Sequence, residues 1–600
     1  MTDRIMSRRR LFEAAAGALL LSGCSVQEDS STKKVKKQEK IKKAESSDGT
    51  KHLRDKDELY EVYDDSGIVT MYLYDDSGVE TMYLTVSRGN SSENTDHSWA
   101  EINTYSVYDY ADMGVTRYQV MGLLQPGDED GPVAGEVGYG EEAPNATVQV
   151  RGQTSSNNSQ KNYKVELKKG KGTWRQQRAI ALNKHMGEGM RFRNKMAYDL
   201  IRGIPQMMGL RTQFVHLWVC DQTEKSNDTF EDYGLFTQVE QLNKTALKAH
   251  GLDKSGHLYK VNSFDFHRYK DTIKLADDPG YNQANFEGML EIKGDSDHTK
   301  LIEMLDALND ESQKIDNVLD TYFDTENLVY WLAFQILTGN CDTQNRNCYL
   351  YSPLNSNTWY FLDWDNDGML RKLELSLTGF SDYASWERGA SNYWGNVLFN
   401  RALRSKSFRS DLDRAVKDLR SYMTEARLSK MIKRYREVTE SLVFASPDID
   451  NLPVTKDQYE QIAAAIPSEI EENYKSFRES FKKPMPFYIG VPQIDNGKLR
   501  INWDASYDFE ARDIRYTVEL ARDYAIGDVV FKAEDVLLPE VTCDAPDAGQ
   551  YFVRVRATNS DGFTQDAFDY YVTDDGKHYG MKCFYVQGGG KVVEDTYEEG

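Results

Sequence analysis

The sequence predicts an α+β domain followed by an all-β sandwich, and three observations carry that prediction. Short alternating strands separated by Gly, Pro, Asp and Asn fill residues 99–167. Helical patterns begin at residue 191 and recur at 322–338 and 394–445. Short strands at regular spacing return after residue 486. Strands followed by helices in one segment are typical of an α+β domain, and evenly spaced alternating strands are typical of a sandwich.

Length and composition divide the chain further. Six hundred residues exceed what one hydrophobic core organises, so at least two domains are expected. The predicted segments are a signal peptide at 1–24, a disordered Lys-rich tether at 25–58, the α+β domain at 59–445, a Pro-containing helical linker at 446–485, the sandwich at 486–587 and a flexible tail at 588–600.

The N-terminus has the features of a bacterial lipoprotein signal. A basic start and a short apolar run lead to LSGC at 21–24, which predicts cleavage before Cys24 and lipidation of that cysteine. The sequence SRRRLF at 7–12 fits a twin-arginine export signal, with an ordinary basic start for general secretion as the alternative. The run KKVKKQEKIKK at 33–43 either lies against anionic headgroups or forms a solvated linker. We therefore expect a lipid anchor on the extracytoplasmic face of the cell membrane.

Net charge and cysteine spacing argue against two function classes. A net charge of −23 disfavours nucleic acid as the main partner, because phosphate neutralisation needs basic surfaces. The five cysteines after Cys24 show no C-x-x-C spacing, which disfavours a zinc site. An odd number leaves at least one free thiol, and Cys543–Cys583 is the expected bridge.

A short duplication precedes the α+β domain's main strands. YDDSGIVTMYL at 63–73 is followed by YDDSGVETMYL at 74–84. The DDSG units predict turns and the alternating units predict strands, so the pair is either a β-hairpin or a slipped-strand repeat. Two copies are too few for a solenoid.

The C-terminal strands resemble a fibronectin type III sandwich, an immunoglobulin-like fold. Trp503 lies in the early strand KLRINW and fits the core tryptophan, while Tyr551 opens YFVRVRA near the tyrosine-corner position. The resemblance covers about 100 residues, and a spacer or stalk role is expected ahead of ligand binding.

A run of carboxylates, FLDWDNDGMLRKLE at 361–374, matches the twelve-residue calcium loop of an EF-hand. Its positions run from Asp363 to Glu374. An EF-hand also needs a helix before the loop, because the two helices set the ligand angles. The preceding residues, TWYFL, are aromatic and typical of a strand. Calcium at Asp363–Glu374 therefore remains the second interpretation.

The residues upstream indicate phosphoryl transfer. A helical pattern at 322–338 ends at Gly339, then Asp342 and Asn347 follow in D-x-x-x-x-N spacing, then a predicted hairpin leads into the carboxylates. Protein kinases order a catalytic Asp, an Asn five residues later and a metal-binding Asp in this way. The alternative is a loop in which Asp and Asn cap backbone donors. Neither H-R-D nor D-F-G is present, so this is not an ordinary protein kinase.

Five segments resemble the spore-coat protein H (CotH) kinases, which are atypical protein kinases. In chain order they are RGQTSSNNSQKNYKVEL, RFRNKMAYDLIRGI, YGLFTQVEQLNKTAL, WLAFQILTGNCDTQNRNCYLY and WYFLDWDND. The resemblance spans roughly residues 60–440 and implies an atypical protein-kinase-like fold. It further implies ATP as phosphoryl donor, Mg²⁺ as metal and a protein as acceptor.

The resemblance also implies roles for individual residues. Asp342 would be the catalytic aspartate, and Asn347, Asp365 and Asp367 would bind the metal. The nucleotide-binding candidates are Lys161, or Lys164 in its place, together with Arg151 and with Glu240 as ion-pair partner of the lysine. Arg193 and Asn194 either bond around the site or lie on a helix surface.

Two functions follow as alternatives. The first is a membrane-anchored kinase that transfers the γ-phosphoryl of ATP to Ser or Thr of surface proteins. The second is a non-catalytic surface-binding or structural lipoprotein that uses the same fold, stabilised by calcium.

Overall fold

The computed structural model describes residues 76–226, 228–379, 384–574 and 576–596. The lipobox with Cys24, the Lys-rich tether and the first copy of the duplication lie outside these ranges. The second copy runs into the first strand, Val79–Ser87.

The N-terminal half is built on a closed sheet. Its strands are β1 (Val79–Ser87), β2 (Val120–Asp128), β3 (Gly131–Pro132), β4 (Ala146–Arg151), β5 (Asn162–Leu167), β6 (Ala179–Asn183), β7 (Thr212–Asp221) and β8 (Glu231–Glu240). They pair in the order β1-β7-β8-β6-β5-β4-β2-β3, and β1 also pairs with β2. That extra pairing closes seven strands into a ring whose inward side chains form one apolar core. Buried and partly exposed residues alternate along β4 and β5, as the sequence predicted.

Helices dominate the second half. The α-helices of the described residues are α1 (Trp99–Thr104), α2 (Val107–Met113), α3 (Arg193–Ile201), α4 (Lys244–Ala249), α5 (Gln283–Met289), α6 (Thr299–Asn309), α7 (Ile315–Tyr322), α8 (Thr325–Thr338), α9 (Lys372–Leu377), α10 (Val397–Arg404), α11 (Lys406–Tyr422), α12 (Glu425–Val443) and α13 (Lys456–Ser480). A four-stranded sheet in the order β10-β9-β11-β12 packs with them. Its strands are β9 (His257–Val261), β10 (Leu290–Ile292), β11 (Cys348–Ser352) and β12 (Tyr360–Asp363).

The first segment predicted as a strand is helical. Residues 99–113 form α1 and α2, each begun by a capping box. In each box the serine hydroxyl accepts a hydrogen bond from the backbone N–H of the acidic residue three positions later, and that carboxylate accepts one from the backbone N–H of the serine. The pairs are Ser98 with Glu101 and Ser106 with Asp109. The S-x-x-E and S-x-x-D spacings indicate these two helix starts in the sequence, whereas the alternation of apolar residues favoured a strand.

Helix α8 is the centre of this half of the molecule. Every residue from Asn327 to Thr338 is buried. Asp324 caps its start by accepting a hydrogen bond from the Asn327 amide, and Gly339 ends it with a left-handed φ of 64°. The helix predicted at 322–338 is thereby confirmed, and its end is fixed three residues before Asp342.

Residues 446–485, predicted as a linker, contribute to the helical core instead. Within them α13 runs for 25 residues with Pro467 inside it. Its apolar face, including Tyr459, Ile462, Ile466 and Phe477, is buried in the same core as α8. The prolines favoured a domain boundary, but the apolar residues of this segment recur at helical spacing.

The C-terminal region is all-β, as predicted. Its strands are β13 (Gln493–Asp495), β14 (Lys498–Asn502), β15 (Ile514–Ala521), β16 (Val529–Val536), β17 (Glu540–Asp544), β18 (Gly549–Asn559), β19 (Thr564–Asp566), β20 (Tyr570–Thr573), β21 (Gly576–Tyr579), β22 (Met581–Val586) and β23 (Val592–Glu594). One sheet has the order β13-β14-β17 and the other β16-β15-β18-β22-β23. Trp503 and Tyr551 lie in the core between them. We refer to residues 486–596 as the sandwich.

The expected bridge between Cys543 and Cys583 is wrong, because both thiols are free. Cys543 lies on β17 in the first sheet and Cys583 on β22 in the second. Packed sheets lie about 10 Å apart, whereas the Cα atoms of a disulfide lie within about 7 Å.

Within the described ranges, no helix is both long and apolar enough to cross a membrane.

Candidate active site

The register of one hairpin brings the two acidic motifs together. Strands β11 and β12 pair antiparallel with Cys348 opposite Asp363. Asn347 precedes the first strand and Asp365 follows the second, so both lie at the same end of the hairpin. We call residues 339–347 the catalytic loop and residues 364–368 the carboxylate loop. The Asn340 amide donates to the carbonyl of Asp365 at 3.5 Å and joins the two loops.

In the catalytic loop, Asn347 holds Asp342. Its Nδ2 donates to Oδ2 of Asp342 at 2.9 Å and to the carbonyl of the same residue at 3.0 Å. Nε of Arg346 lies 3.7 Å from the other carboxylate oxygen. The Asp342 side chain is nevertheless 64% exposed. A carboxylate that is oriented yet open to solvent is suited to accept a proton from an incoming hydroxyl.

In the carboxylate loop, Asp365 and Asp367 are neighbours, and both are partly buried. Burial raises the pKa of Asp365 to about 7, and the negative charges of Asp367 and Asp342 act in the same direction. Burial also opposes ionisation of Asp367, but His185, 3.4 Å away through Nδ1, overcomes it and lowers the pKa of Asp367. Two neighbouring carboxylates with opposite pKa shifts are typical of a functional site.

Backbone strain marks both loops. Asn347 has a φ of 57° and Asp365 a φ of 59°, in the left-handed region that costs an L-residue about 1–2 kcal/mol. Asn and Asp tolerate this region better than other side chains, since they bond to nearby backbone. Strained residues at two of the three candidate metal positions agree with a site whose geometry is maintained for function.

Side chains of helix α3 bond to the backbone of the carboxylate loop. Oδ1 of Asn194 accepts a hydrogen bond from the backbone N–H of Asn366 at 3.3 Å, and Nδ2 of Asn194 lies 3.3 Å from Nε2 of His185. The Tyr198 hydroxyl accepts one from the Asp365 amide at 3.3 Å. Arg193 and Asn194 are buried. They therefore do not lie on a helix surface, and their side chains bond around the site.

The calcium loop does not form. Asp363 ends strand β12, so no helix precedes the loop. Its carboxylate accepts hydrogen bonds from Gln335, at 2.5 Å, and from Asn366. Glu374 lies inside α9 and accepts from the Gly189 amide at 3.0 Å, besides pairing with Arg193. The first and last positions of the motif are thus committed to protein donors.

Two cations lie near Asp365, and its charge acts on both. Arg151, at the end of β4, has its guanidinium 5.8 Å from the centre of the Trp364 ring and donates to Asn183. Burial lowers the pKa of Arg151 and the charge of Asp365 raises it. Lys260 on β9 is partly buried; burial lowers its pKa, while Glu291 and Asp365 raise it. The site therefore faces two basic groups, of which the sequence predicted Arg151.

Lys161 and Glu240 lie elsewhere. The Lys161 ammonium donates to the carbonyl of Ser156 at 2.7 Å, and the carboxylate that raises its pKa, against burial, is Asp109. It therefore fastens the turn between β4 and β5.

Glu240 binds other cations than the predicted lysine. Its carboxylate accepts hydrogen bonds from His250 at 2.8 Å and from Arg211. Lys164, the alternative lysine, pairs with Glu166 at 2.6 Å. The contacts of these three side chains thus go to partners outside the carboxylate loop.

Sequence reasoning missed His185, Lys260 and Tyr198. They come from the end of β6, from β9 and from α3, which are far apart in the chain. No spacing motif links them to the carboxylates, since only sheet pairing and helix packing bring them there.

The site offers hard oxygen donors for a divalent cation. Among residues 76–226, 228–379, 384–574 and 576–596, no three His, Cys, Asp or Glu side chains form a metal-binding group by themselves. Magnesium, however, is commonly bound by one or two carboxylates plus waters and substrate phosphates. Two neighbouring, partly buried carboxylates and the amide oxygen of Asn347 fit that pattern, because a cation relieves the repulsion between Asp365 and Asp367.

Comparison with protein families identifies the chain. The model described as CotH kinase protein matches residues 148–477, more than half of the sequence. The chain belongs to the CotH kinase family. The match reaches into α13, which agrees with that helix being part of the kinase domain.

Other comparisons add little to the family assignment. No curated protein matches the chain. Among solved structures, the Shewanella oneidensis MR-1 toxin–antitoxin system HipA, HipB and operator DNA complex is similar over 50% of this chain and 58% of that chain. The identity is 10% and the TM-score 0.20, so this likeness carries no argument about the CotH domain.

Proposed function

We propose that this CotH family protein transfers the γ-phosphoryl group of ATP to Ser or Thr hydroxyls of cell-surface proteins. The observation that carries the proposal is that Asp342, Asn347 and Asp365 lie at one end of a hairpin. Arg151 and Lys260 lie nearby, and the charge of Asp365 acts on both. Carboxylates and cations close together match the needs of a reaction that depends on positioning and charge stabilisation.

Asp342 orients the acceptor hydroxyl and takes its proton as the new O–P bond forms. The Asn347 amide holds that carboxylate at 2.9 Å, so its direction is set before the acceptor arrives. The 64% exposure of the side chain leaves room for a protein substrate. The γ-phosphoryl group leaves ADP, and the acceptor oxygen replaces the bridging oxygen.

Asn347, Asp365 and Asp367 are the residues that would hold Mg²⁺. When bound there, the cation neutralises charge on the phosphates. His185 and Asn194 hold the two carboxylates in place through the contacts described above.

Arg151 and Lys260 contact the phosphates of ATP. Arg151 is fixed by Asn183 and Trp364, which points to a guanidinium with a preset direction. Lys260 takes the place that the sequence gave to Lys161.

The protein works at the extracytoplasmic face of the membrane, held by lipid on Cys24. ATP is scarce there, and a twin-arginine signal resolves the difficulty, because such a precursor folds and binds nucleotide before export. The sandwich is of the fibronectin type III kind. In support, a three-stranded sheet packs against a second sheet of five strands in sequence with β19 at its side, and the Tyr551 hydroxyl donates to the carbonyl of Asp547, four residues upstream, at 3.0 Å.

Incubation with γ-labelled ATP and Mg²⁺ tests the proposal. The wild type should label an acceptor protein or itself on Ser or Thr, and Asp365→Asn should reduce labelling to background. Asp320→Asn is the matched control, since Asp320 is an exposed aspartate on α7. Label that survives in Asp365→Asn contradicts the proposed site.

A thermal shift experiment addresses the alternative function. ATP with Mg²⁺ should raise the melting temperature of the wild type and not of Asp365→Asn. Stabilisation by calcium alone, unaffected by nucleotide, would instead support a non-catalytic surface protein.

A further inference from the structure

Residues 384–396, which we call the bridging segment, lie between the catalytic loop and the C-terminal sandwich. The segment follows α9 in the chain and contains a short 3-10 helix, Gly389–Tyr393. Its side chains are mostly buried. It contacts a different part of the molecule on each of its faces.

One face holds the catalytic loop. Nδ2 of Asn392 donates to the carbonyl of Cys341 at 3.1 Å, and the Tyr393 hydroxyl lies 2.7 Å from Oγ1 of Thr343. In addition, the Cys341 thiol donates to the carbonyl of Glu387 at 2.8 Å. These bonds join the residues immediately before and after Asp342 to the bridging segment.

A further bond reaches the start of the loop. Nη1 of Arg388 donates to the carbonyl of Gly339 at 2.9 Å. That carbonyl lies at the end of α8, where the chain turns out of the helix. The bridging segment therefore contacts the backbone on both sides of the proposed catalytic aspartate.

The other face inserts an indole into the sandwich. The Trp386 ring centre lies 4.9 Å from that of Phe568 and 6.2 Å from that of Tyr579, both in edge-to-face geometry. Its Nε1 donates to the carbonyl of Ala567 at 3.2 Å. Beside it, Oγ of Ser385 accepts from Nε2 of Gln565 at 2.7 Å. Buried aromatic pairs with a satisfied N–H are strong, specific contacts.

Packing behind the segment leaves it little freedom. Gly389 has a φ of 72°, and a Cβ there would lie 2.8 Å from Oγ of Ser480 and 2.9 Å from Cα of Phe477. Both neighbours belong to α13 or its end. At the far end, Trp394 stacks on Tyr507 of the sandwich with ring centres 5.3 Å apart. The segment is thus clamped by the sandwich at two points and by α13 between them.

We propose that the sandwich is a positioning element of the active site, with Trp386 as the residue that couples it to Asp342. Docking of Trp386 against Phe568 fixes the bridging segment, and the segment fixes the backbone on either side of Asp342. A spacer or stalk would not need these contacts. The consequence for catalysis rests on the proposed function; the effect on the loop does not.

Two substitutions of Trp386 test the coupling in the full chain. In Trp386→Ala, amide hydrogen exchange in residues 339–347 should rise about tenfold without nucleotide present, and kcat should fall about 10- to 100-fold. The KM for ATP should stay within about twofold, because Arg151 and Lys260 are untouched. Trp386→Phe keeps the aromatic packing, so its hydrogen exchange in residues 339–347 and its kcat should both lie close to the wild-type values.

Leu538→Ala is the control, since Leu538 is an exposed apolar residue of the same sandwich. It should leave exchange and kcat unchanged. If Trp386→Ala does not fold, Gln565→Ala removes the milder contact with Ser385 and should still raise exchange in residues 339–347. Unchanged exchange in the folded variants would overturn the proposal.

The readouts separate this inference from the proposed function. Faster exchange in Trp386→Ala, together with a wild type that transfers no phosphate, would retain the coupling and reject the kinase. Phosphate transfer by the wild type, with hydrogen exchange in residues 339–347 and kcat both unchanged in Trp386→Ala, would support the kinase and reject the coupling.

Discussion

The amide of Asn347 donates a 2.9 Å hydrogen bond to the carboxylate of Asp342, five residues earlier in the chain. The spacing that the sequence offered as a motif is therefore a direct contact. It also explains why Asn347 holds a left-handed backbone with a φ of 57°, because that turn brings its side chain back toward Asp342. Asn347 thus orients the proposed base through its amide nitrogen, and in the proposed mechanism its amide oxygen would bind the metal.

We expect Asp342→Asn to lower kcat by about 10²- to 10⁴-fold, because a positioned general base contributes a factor of that size. The KM for ATP should change little, since Asp342 binds the acceptor and not the nucleotide. Steady-state kinetics at saturating Mg²⁺ separates the two constants. An equal rise in KM with kcat retained would assign Asp342 to ATP binding instead.

Asn347→Ala should behave differently from Asp342→Asn. It removes an oxygen donor, so the Mg²⁺ concentration for half-maximal activity should increase several-fold. Part of the activity should return at high Mg²⁺. Titration of activity with Mg²⁺ is the measurement, and a defect that no Mg²⁺ concentration reduces would argue that Asn347 acts through Asp342 alone.

The chain order of the site was predictable because its main part is local. Helix α8, the catalytic loop, the hairpin and the carboxylate loop are consecutive, and hairpin register fixes their meeting point. The opposite side of the site was not predictable in the same way. Arg151, His185 and Lys260 come from three different strands or their ends, and their convergence depends on long-range pairing.

The same distinction explains the differences in the fold. The alternating strands of the sandwich and helix α8 were read from local periodicity and are present. The helix at 456–480 was taken for a linker because its burial depends on contact with α8, which no local pattern shows. Lys161 was matched by its neighbours in sequence, whereas its side chain turns to Ser156.

Exchanging single cations distinguishes Arg151 from Lys161. Arg151→Met should raise the KM for ATP roughly 10- to 100-fold, since a hydrogen bond to a charged group contributes about 1.5–3 kcal/mol. Lys161→Met should leave this KM nearly unchanged and lower the melting temperature by a few degrees, as the turn between β4 and β5 loses its fastening. The opposite outcome would return the nucleotide role to Lys161.

Asp448 should be a stability residue that joins the two halves of the kinase domain. It is fully buried, and it accepts from the Leu235 amide at 2.7 Å and pairs with Lys184 at 3.0 Å. Burial lowers the pKa of Lys184 to about 8, although Asp448 opposes that shift. Asp448→Ala leaves this lysine buried without its carboxylate and should cost about 3–5 kcal/mol in the free energy of unfolding.

Denaturant unfolding at pH 7 measures the effect of Asp448→Ala. Asp450→Ala, an exposed carboxylate two residues on, should stay within about 0.5 kcal/mol of the wild type. Equal losses in the two variants would show that the segment tolerates any change poorly and that the buried pair is not the cause.

Glu240 gives the protein a defined acid sensitivity. Burial alone would raise its pKa, but His250 and Arg211 overcome burial and lower the pKa to about 2 from an ordinary 4.5. A carboxyl group whose pKa is lower in the folded state contributes stability above its unfolded pKa and loses it as pH falls toward the folded pKa. For a shift of this size the contribution is about 3 kcal/mol. Its window therefore runs from about pH 5 down to about pH 2.

Glu240→Gln should accordingly be less stable than the wild type by about 3 kcal/mol at pH 7, with the difference shrinking as pH falls from 5 to 2. Urea unfolding of both proteins at several pH values measures it. Glu231→Gln, at an exposed position on the same strand, should show no such convergence. A difference between Glu240→Gln and the wild type that is constant across the whole range would mean that packing of the side chain, and not its ionisation, stabilises this part of the CotH domain.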